Sequence, residues 1–66
     1  MEILGKRLKE LRTARGLSQA EAARGAGLTL QAYIRFERGL RKRGLEELIK
    51  LARFFEVNVN YLLGIC

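Results

Sequence analysis

Residues 18–38 read SQAEAARGAGLTLQAYIRFER, and they decide the architecture. Ser18-Gln19-Ala20-Glu21 fits the S-x-x-E capping box, in which a Ser hydroxyl and a Glu carboxylate each satisfy a free backbone N–H at a helix start. A helix beginning there runs to about Arg24 or Gly25. Thr29 is a good N-cap for a second helix that reaches about Arg38, before Gly39. Ala26-Gly27-Leu28 joins the two. Successive helical positions turn by about 100°, so residues three and four apart share a face. On the second helix Tyr33 and Phe36 fall on one side. Leu30, Gln31, Ile34, Arg35 and Arg38 fall on the other.

The same helical spacing extends in both directions. Upstream, Ile3, Leu4, Leu8, Leu11 and Ala14 form a stripe over about 3–15, with Lys6, Arg7, Lys9, Glu10 and Arg12 around it. Gly16 fits a left-handed cap at its end. Downstream, Leu45, Leu48, Ile49, Ala52 and Phe55 mark a helix over about 45–55. A short turn over roughly 58–63 follows, with Asn58 as its N-cap. The brief alternation from Val57 to Tyr61 is too short to argue for a strand. Five short helices in an all-α domain are expected. Leu4, Leu8, Leu11, Leu17, Ala23, Leu28, Leu48, Ile49, Leu51 and Ala52 are the expected core.

Composition narrows the function. The 66 residues make one small domain, 1–66, with no linker or repeat. Thirteen Lys and Arg stand against seven Glu, a net charge of +6, with no His and no Pro. That excess suits a polyanion, nucleic acid before an acidic membrane surface. With no His, no Asp and the single cysteine Cys66, neither a zinc site nor a Cys–His or Ser–His–Asp centre can be assembled within the chain. An enzyme is therefore not expected, nor a metal, a cofactor or a small-molecule substrate. No apolar stretch is long enough to span a bilayer and no signal-peptide pattern opens the chain, so a cytoplasmic location is expected.

Two short helices joined by a glycine-containing turn have the spacing of a helix-turn-helix at about 18–38, whose second helix enters the DNA major groove. The outer face of helix three suits that role. Gln pairs bidentately with adenine, Arg with guanine, and an aliphatic group covers a thymine methyl. Directly after it, Arg41, Lys42 and Arg43 are consecutive. Residues 35–43 hold five basic groups and one acid, net +4, the kind of turn that contacts phosphates. The start of helix two, with its free N–H groups, is a second natural phosphate seat, and Gln19 can add a side-chain bond there. A solvated basic face is the bland alternative. Glu37, partly turned inward, needs a partner, and an Arg of helix one is the expected one.

Taken together, Arg7-Leu8-Lys9-Glu10-Leu11-Arg12, Gly16-Leu17-Ser18-Gln19, Glu37-Arg38-Gly39 and the helix pair from Leu45 to Leu63 make the chain resemble the phage-repressor and Cro-like helix-turn-helix family, often called XRE. The resemblance implies a compact five-helix, lambda-repressor-like DNA-binding domain of bacterial or phage type, associated with the nucleoid. It implies that Leu30, Gln31 and Arg35 face bases. It puts Gln19, Lys42 and Arg43 on phosphates, with Arg38 and Arg41 beside them, and makes Arg12 and Glu37 a structural ion pair. It implies a homodimer on double-stranded DNA with a palindromic operator. The dimer contact would come from the last helix and the loop after helix three.

The chain also departs from the family pattern. Ala22 stands where a large aliphatic is usual and Tyr33 where an aliphatic is usual, a pair of changes that conserves core volume. Leu30 and Ile34 replace usually polar residues. They would meet thymine methyls or the sugar backbone, or else pack on protein. Glu56 stands where a helix-ending glycine is common, and Arg43 where proline is common. Leu40, Val59, Tyr61, Leu62, Leu63 and Ile65 exceed the apolar needs of a small core, and a two-fold interface drawing on Leu40, Val59, Tyr61, Leu62 and Ile65 is expected. The expected function is a DNA-binding transcriptional regulator, with repression as the simpler default. The rival is a protein-interaction module, of antitoxin or anti-regulator type, whose basic face binds an acidic protein.

Overall fold

The computed structural model describes residues 2–39 and 44–65. Five helices follow one another: α1 Glu2–Ala14, α2 Gln19–Ala26, α3 Leu30–Glu37, α4 Leu45–Phe55 and α5 Val59–Leu63. Among the described residues there is no strand, and the alternation after Val57 folds as α5. The fold is all-α, as the apolar spacing indicates.

The caps explain why the elements begin where they do. The Ser18 hydroxyl accepts from the Glu21 N–H at 3.0 Å and the Glu21 carboxylate accepts from the Ser18 N–H at 2.8 Å. Thr29 caps α3 by accepting from the Ala32 N–H at 3.1 Å, and Asn58 caps α5 by accepting from the Asn60 N–H at 2.7 Å. Gly27 closes α2 in the left-handed region, φ 80°. That turn redirects the chain from α2 to α3 within three residues.

Glu56 ends α4 at φ 58°, left-handed without being glycine. Arg15, just past the end of α1, supports this turn. Its guanidinium donates to the Phe54 carbonyl at 3.0 Å and lies 5.4 Å from the centres of both the Phe54 and Phe55 rings. A cation near a helix C-terminus also opposes the negative end of the helix dipole.

The core draws on every helix: Leu4 and Leu8, the three alanines Ala22, Ala23 and Ala26, Tyr33 and Phe36, Leu48, Leu51, Ala52 and Phe55, and Leu62. Ala22 and Tyr33 are both fully buried, consistent with a small residue making room for a large one. Three expected core positions, Leu11, Leu17 and Leu28, are only half-buried, and Ile49 is exposed. It lies at the edge of the α4 stripe. The α4 face against the core is centred on Leu48, Leu51 and Phe55.

One close approach lies outside the sequence reading. Gly5, in the middle of α1, is buried against the end of α3, and a Cβ there would collide with the carbonyl oxygen of Glu37. The missing side chain lets α1 and α3 touch through their backbones.

Candidate nucleic-acid interface

Helix α3 has two unlike halves. Tyr33 and Phe36 anchor it in the core. Outward, two rows run along it at i, i+4, i+7. One is Gln31, Arg35 and Arg38, all exposed. Their side chains make no hydrogen bond or ion pair with the other described residues. The other row is Leu30, Ile34 and Glu37. Leu30 is 44% exposed, Ile34 is half-buried, and Glu37 turns in toward α1 and α2.

Glu37 sits in a clamp that joins three helices. Arg12 Nε lies 2.6 Å from Glu37 Oε2 and Arg12 Nη2 3.4 Å from Oε1. Arg12 Nη1 donates to the Leu17 carbonyl at 2.9 Å. Gln19 Nε2, at the first position of α2, donates to Glu37 Oε1 at 3.1 Å. The pair is nearly dry, with side-chain exposures of 13% for Arg12 and 6% for Glu37. Burial pushes the Glu37 pKa up, but the Arg12 bond, the neighbouring Tyr33 hydroxyl and the Gln19 bond outweigh it, leaving the carboxyl below its ordinary range. The same pair raises the Arg12 pKa. The Tyr33 hydroxyl is buried beside the clamp without a hydrogen-bond partner of normal geometry. Burial first, then Glu37, pushes its pKa up.

The clamp ties the start of α2 to α3 at Glu37, the last residue of the row that begins with Leu30 and Ile34. The Glu21 N–H is committed to Ser18, so the N–H groups of Gln19 and Ala20 remain as the backbone donors of that helix end. Gln19 is shared: one amide hydrogen goes to Glu37 and the second remains.

Of the other expected site residues, Arg41, Lys42 and Arg43 lie outside the described residues, as does Leu40. On the expected dimer face Tyr61 and Ile65 are exposed and Val59 is half-buried, while Leu62 is fully buried in the single chain. Leu62 thus has no surface to give a second copy. Sequence reasoning missed Arg7. Its guanidinium lies 4.3 Å above the Tyr61 ring and donates to the Tyr61 carbonyl, tying α1 to α5. Neither residue carries a local signal for a contact across 54 positions. Gly5 did carry one, as an isolated glycine inside a helical pattern. Among the described residues no cluster of His, Cys, Asp and Glu is placed to hold a metal ion, and no helix is long and apolar enough to cross a membrane.

Two short helices joined by a left-handed glycine turn, the second with an outward row of polar side chains unpartnered among the described residues, have the form of a helix-turn-helix. The helix-turn-helix family model matches residues 8–62, and the chain belongs to this family in its phage-repressor form. It is 39% identical over 61 residues to the HTH-type transcriptional regulator ImmR of Bacillus subtilis, covering 92% of this chain and 48% of that protein. It is 34% identical over 58 residues to the cryptic phage CTXphi transcriptional repressor RstR of Vibrio cholerae, covering 88% of this chain and 52% of that protein. The chain therefore spans about half the length of the curated relatives it matches. The crystal structure of the restriction-modification controller protein C.AhdI from Aeromonas hydrophila superposes with a TM-score of 0.83 at 39% identity, covering 92% of each chain. These relatives are regulators and repressors by name, and none is named as an enzyme.

Proposed function

We propose that residues 1–66 form a single sequence-specific DNA-binding unit of a transcriptional regulator, with α3 as the recognition helix in the major groove. The observation that carries this reading is the row Gln31–Arg35–Arg38. It presents three hydrogen-bonding side chains with no partner among the described residues, on a helix whose other side is buried in the core. Gln31 and Arg35, with Leu30, contact base edges. Gln19 and the start of α2 hold one phosphate, and Arg38, Arg41, Lys42 and Arg43 hold others.

The regulator acts as a homodimer on a palindromic operator, its two recognition helices about 34–36 Å apart in successive major grooves. Tyr61, Ile65 and Val59 supply the two-fold surface, joined by Leu40. Residues 57–65 themselves carry no charge, and the cation against Tyr61, Arg7, is engaged with its ring and its carbonyl, which lowers the repulsion between two basic chains meeting here. Regulation comes from occupancy of the site, repression by blocking polymerase, in the cytoplasm at the nucleoid.

The test is the salt dependence of binding to a duplex selected from randomised DNA. Lys42→Ala and Arg43→Ala should each flatten the slope of log affinity against log salt by about one. An unchanged slope would remove them from the phosphate contacts. A second reading, a module that binds an acidic protein, draws on the exposed Leu30 beside the cationic row. Its mark is binding to duplexes without any half-site pattern.

A further inference from the structure

The apolar row on the outer face of α3 has a place in the groove that its neighbours fix. Leu30, Ile34 and Glu37 lie in one line along the helix, and Gln31, Arg35 and Arg38 lie in the next. Glu37, at the end of the first line, is bound by Gln19 at the start of α2. The apolar line therefore runs on the α2 side of the recognition face, between the polar row and the phosphate seat at the α2 N-terminus.

A helix in the major groove with that seat on one backbone turns its polar row to the centre of the base-pair edges. It turns its apolar row toward the strand whose phosphate α2 holds. The group that strand offers there is the C5-methyl of thymine, the only methyl group on the major-groove edge of a base pair. Leu30 is an apolar side chain left 44% exposed on this face. The face it shares carries Arg35 and Arg38, which suit a polyanion and would be desolvated at a cost against an apolar protein surface.

We infer that Leu30, backed by Ile34, is a specificity-determining contact that reads thymine by its methyl group, on the strand clamped by the start of α2. This rests on the DNA-binding reading above and adds to it the base, the group on the base and the strand. The contact is blind to hydrogen bonding, so it distinguishes thymine from uracil, which the polar row cannot do.

The experiment replaces thymine by deoxyuridine, one position at a time, in the duplex selected from randomised DNA. Each single replacement removes one methyl and leaves every hydrogen-bonding group in place. Affinity should fall about fourfold at one or two positions of a half-site, the size expected for exposing one buried methyl. The affected thymines should all lie on one strand of each half-site, and the symmetric double replacement should cost about sixteenfold. In Leu30→Ala, which removes an exposed side chain and favours the helix, the uracil effect at those positions should disappear. Its helix content by circular dichroism confirms the fold. A consensus duplex bound equally well with uracil everywhere would overturn the inference and leave the DNA reading standing. So would a uracil effect undiminished in Leu30→Ala. Selection without any consensus would overturn both.

Discussion

The two sides of α3 carry similar chemistry and have opposite fates. Glu37 and Arg35 are both ionised side chains two positions apart. Glu37 is nearly dry and held by Arg12 and Gln19, whereas Arg35 is exposed and unpartnered among the described residues. A polar group whose partners lie within the chain holds the fold. One that the fold positions rigidly and leaves unbonded is available to something outside it. The contrast separates the residues that keep α2 and α3 at their angle from those that use the angle.

That separation breaks most visibly at the clamp. Arg12→Ala leaves Glu37 buried with Gln19 as its remaining hydrogen-bond donor among the described residues and frees the Leu17 carbonyl, and should cost about 3 kcal/mol in urea denaturation. A loss below about 1 kcal/mol would show that the pair does not hold the helices. Acidity reaches the same site. Glu37 takes up a proton less readily folded than unfolded, where Glu titrates near about 4.3. Its stabilisation is complete above that pH and disappears as pH falls through it and on through the lower folded-state value. The capping Glu21 shifts in the same direction, with its bond from the Ser18 backbone first. Stability should drop on acidification below about pH 4, and less steeply in Glu37→Gln than in the parent chain.

Arg35→Ala should show the reverse pattern. Unfolding should change by under about 0.5 kcal/mol, while affinity for the selected duplex falls by about 2 kcal/mol and one base preference relaxes. Equal losses on all sequences would place Arg35 on the backbone instead of a base edge.

Gly5→Ala sharpens the inner side. Alanine favours a helix by about 1 kcal/mol over glycine, yet its methyl would meet the Glu37 carbonyl. The helices must part, at a net cost of about 1–2 kcal/mol. A more stable variant would show that α1 and α3 are not in backbone contact. The smallest effect is expected far from both faces. Glu56 is left-handed at φ 58°, and its ion pair with Arg15 is long, at 4.0 Å, and exposed. Glu56→Gly should therefore raise stability by about 1 kcal/mol and leave DNA affinity unchanged.

The helix-turn-helix was legible because its signals are local. A capping box, a Thr cap and a glycine turn each act within four residues, and the sides of α3 follow from helical period alone. That Glu37 turns inward was also legible, since a carboxylate beside Phe36 must find a partner. What was not legible depends on elements meeting across the chain. Gln19 reads as a phosphate ligand from its place at a helix start, and only the angle between α2 and α3 brings it to Glu37. Leu62 and Tyr61 are adjacent, and both are apolar enough to serve as core. The packing of α5 on α1 and α4 buries the first and leaves the second under Arg7. Ile49 looks like core by period but lies at the margin of a stripe wider than the surface it covers.

The claim that the outer row of α3 reads DNA is tested most directly by selecting binders from a randomised duplex library at near-physiological salt and sequencing the pool. A palindromic consensus with half-sites about one helical turn apart is expected, altered at one base in each half by Arg35→Ala. Retention with no consensus, collapsing as salt rises, would reduce the interaction to charge alone and contradict the claim.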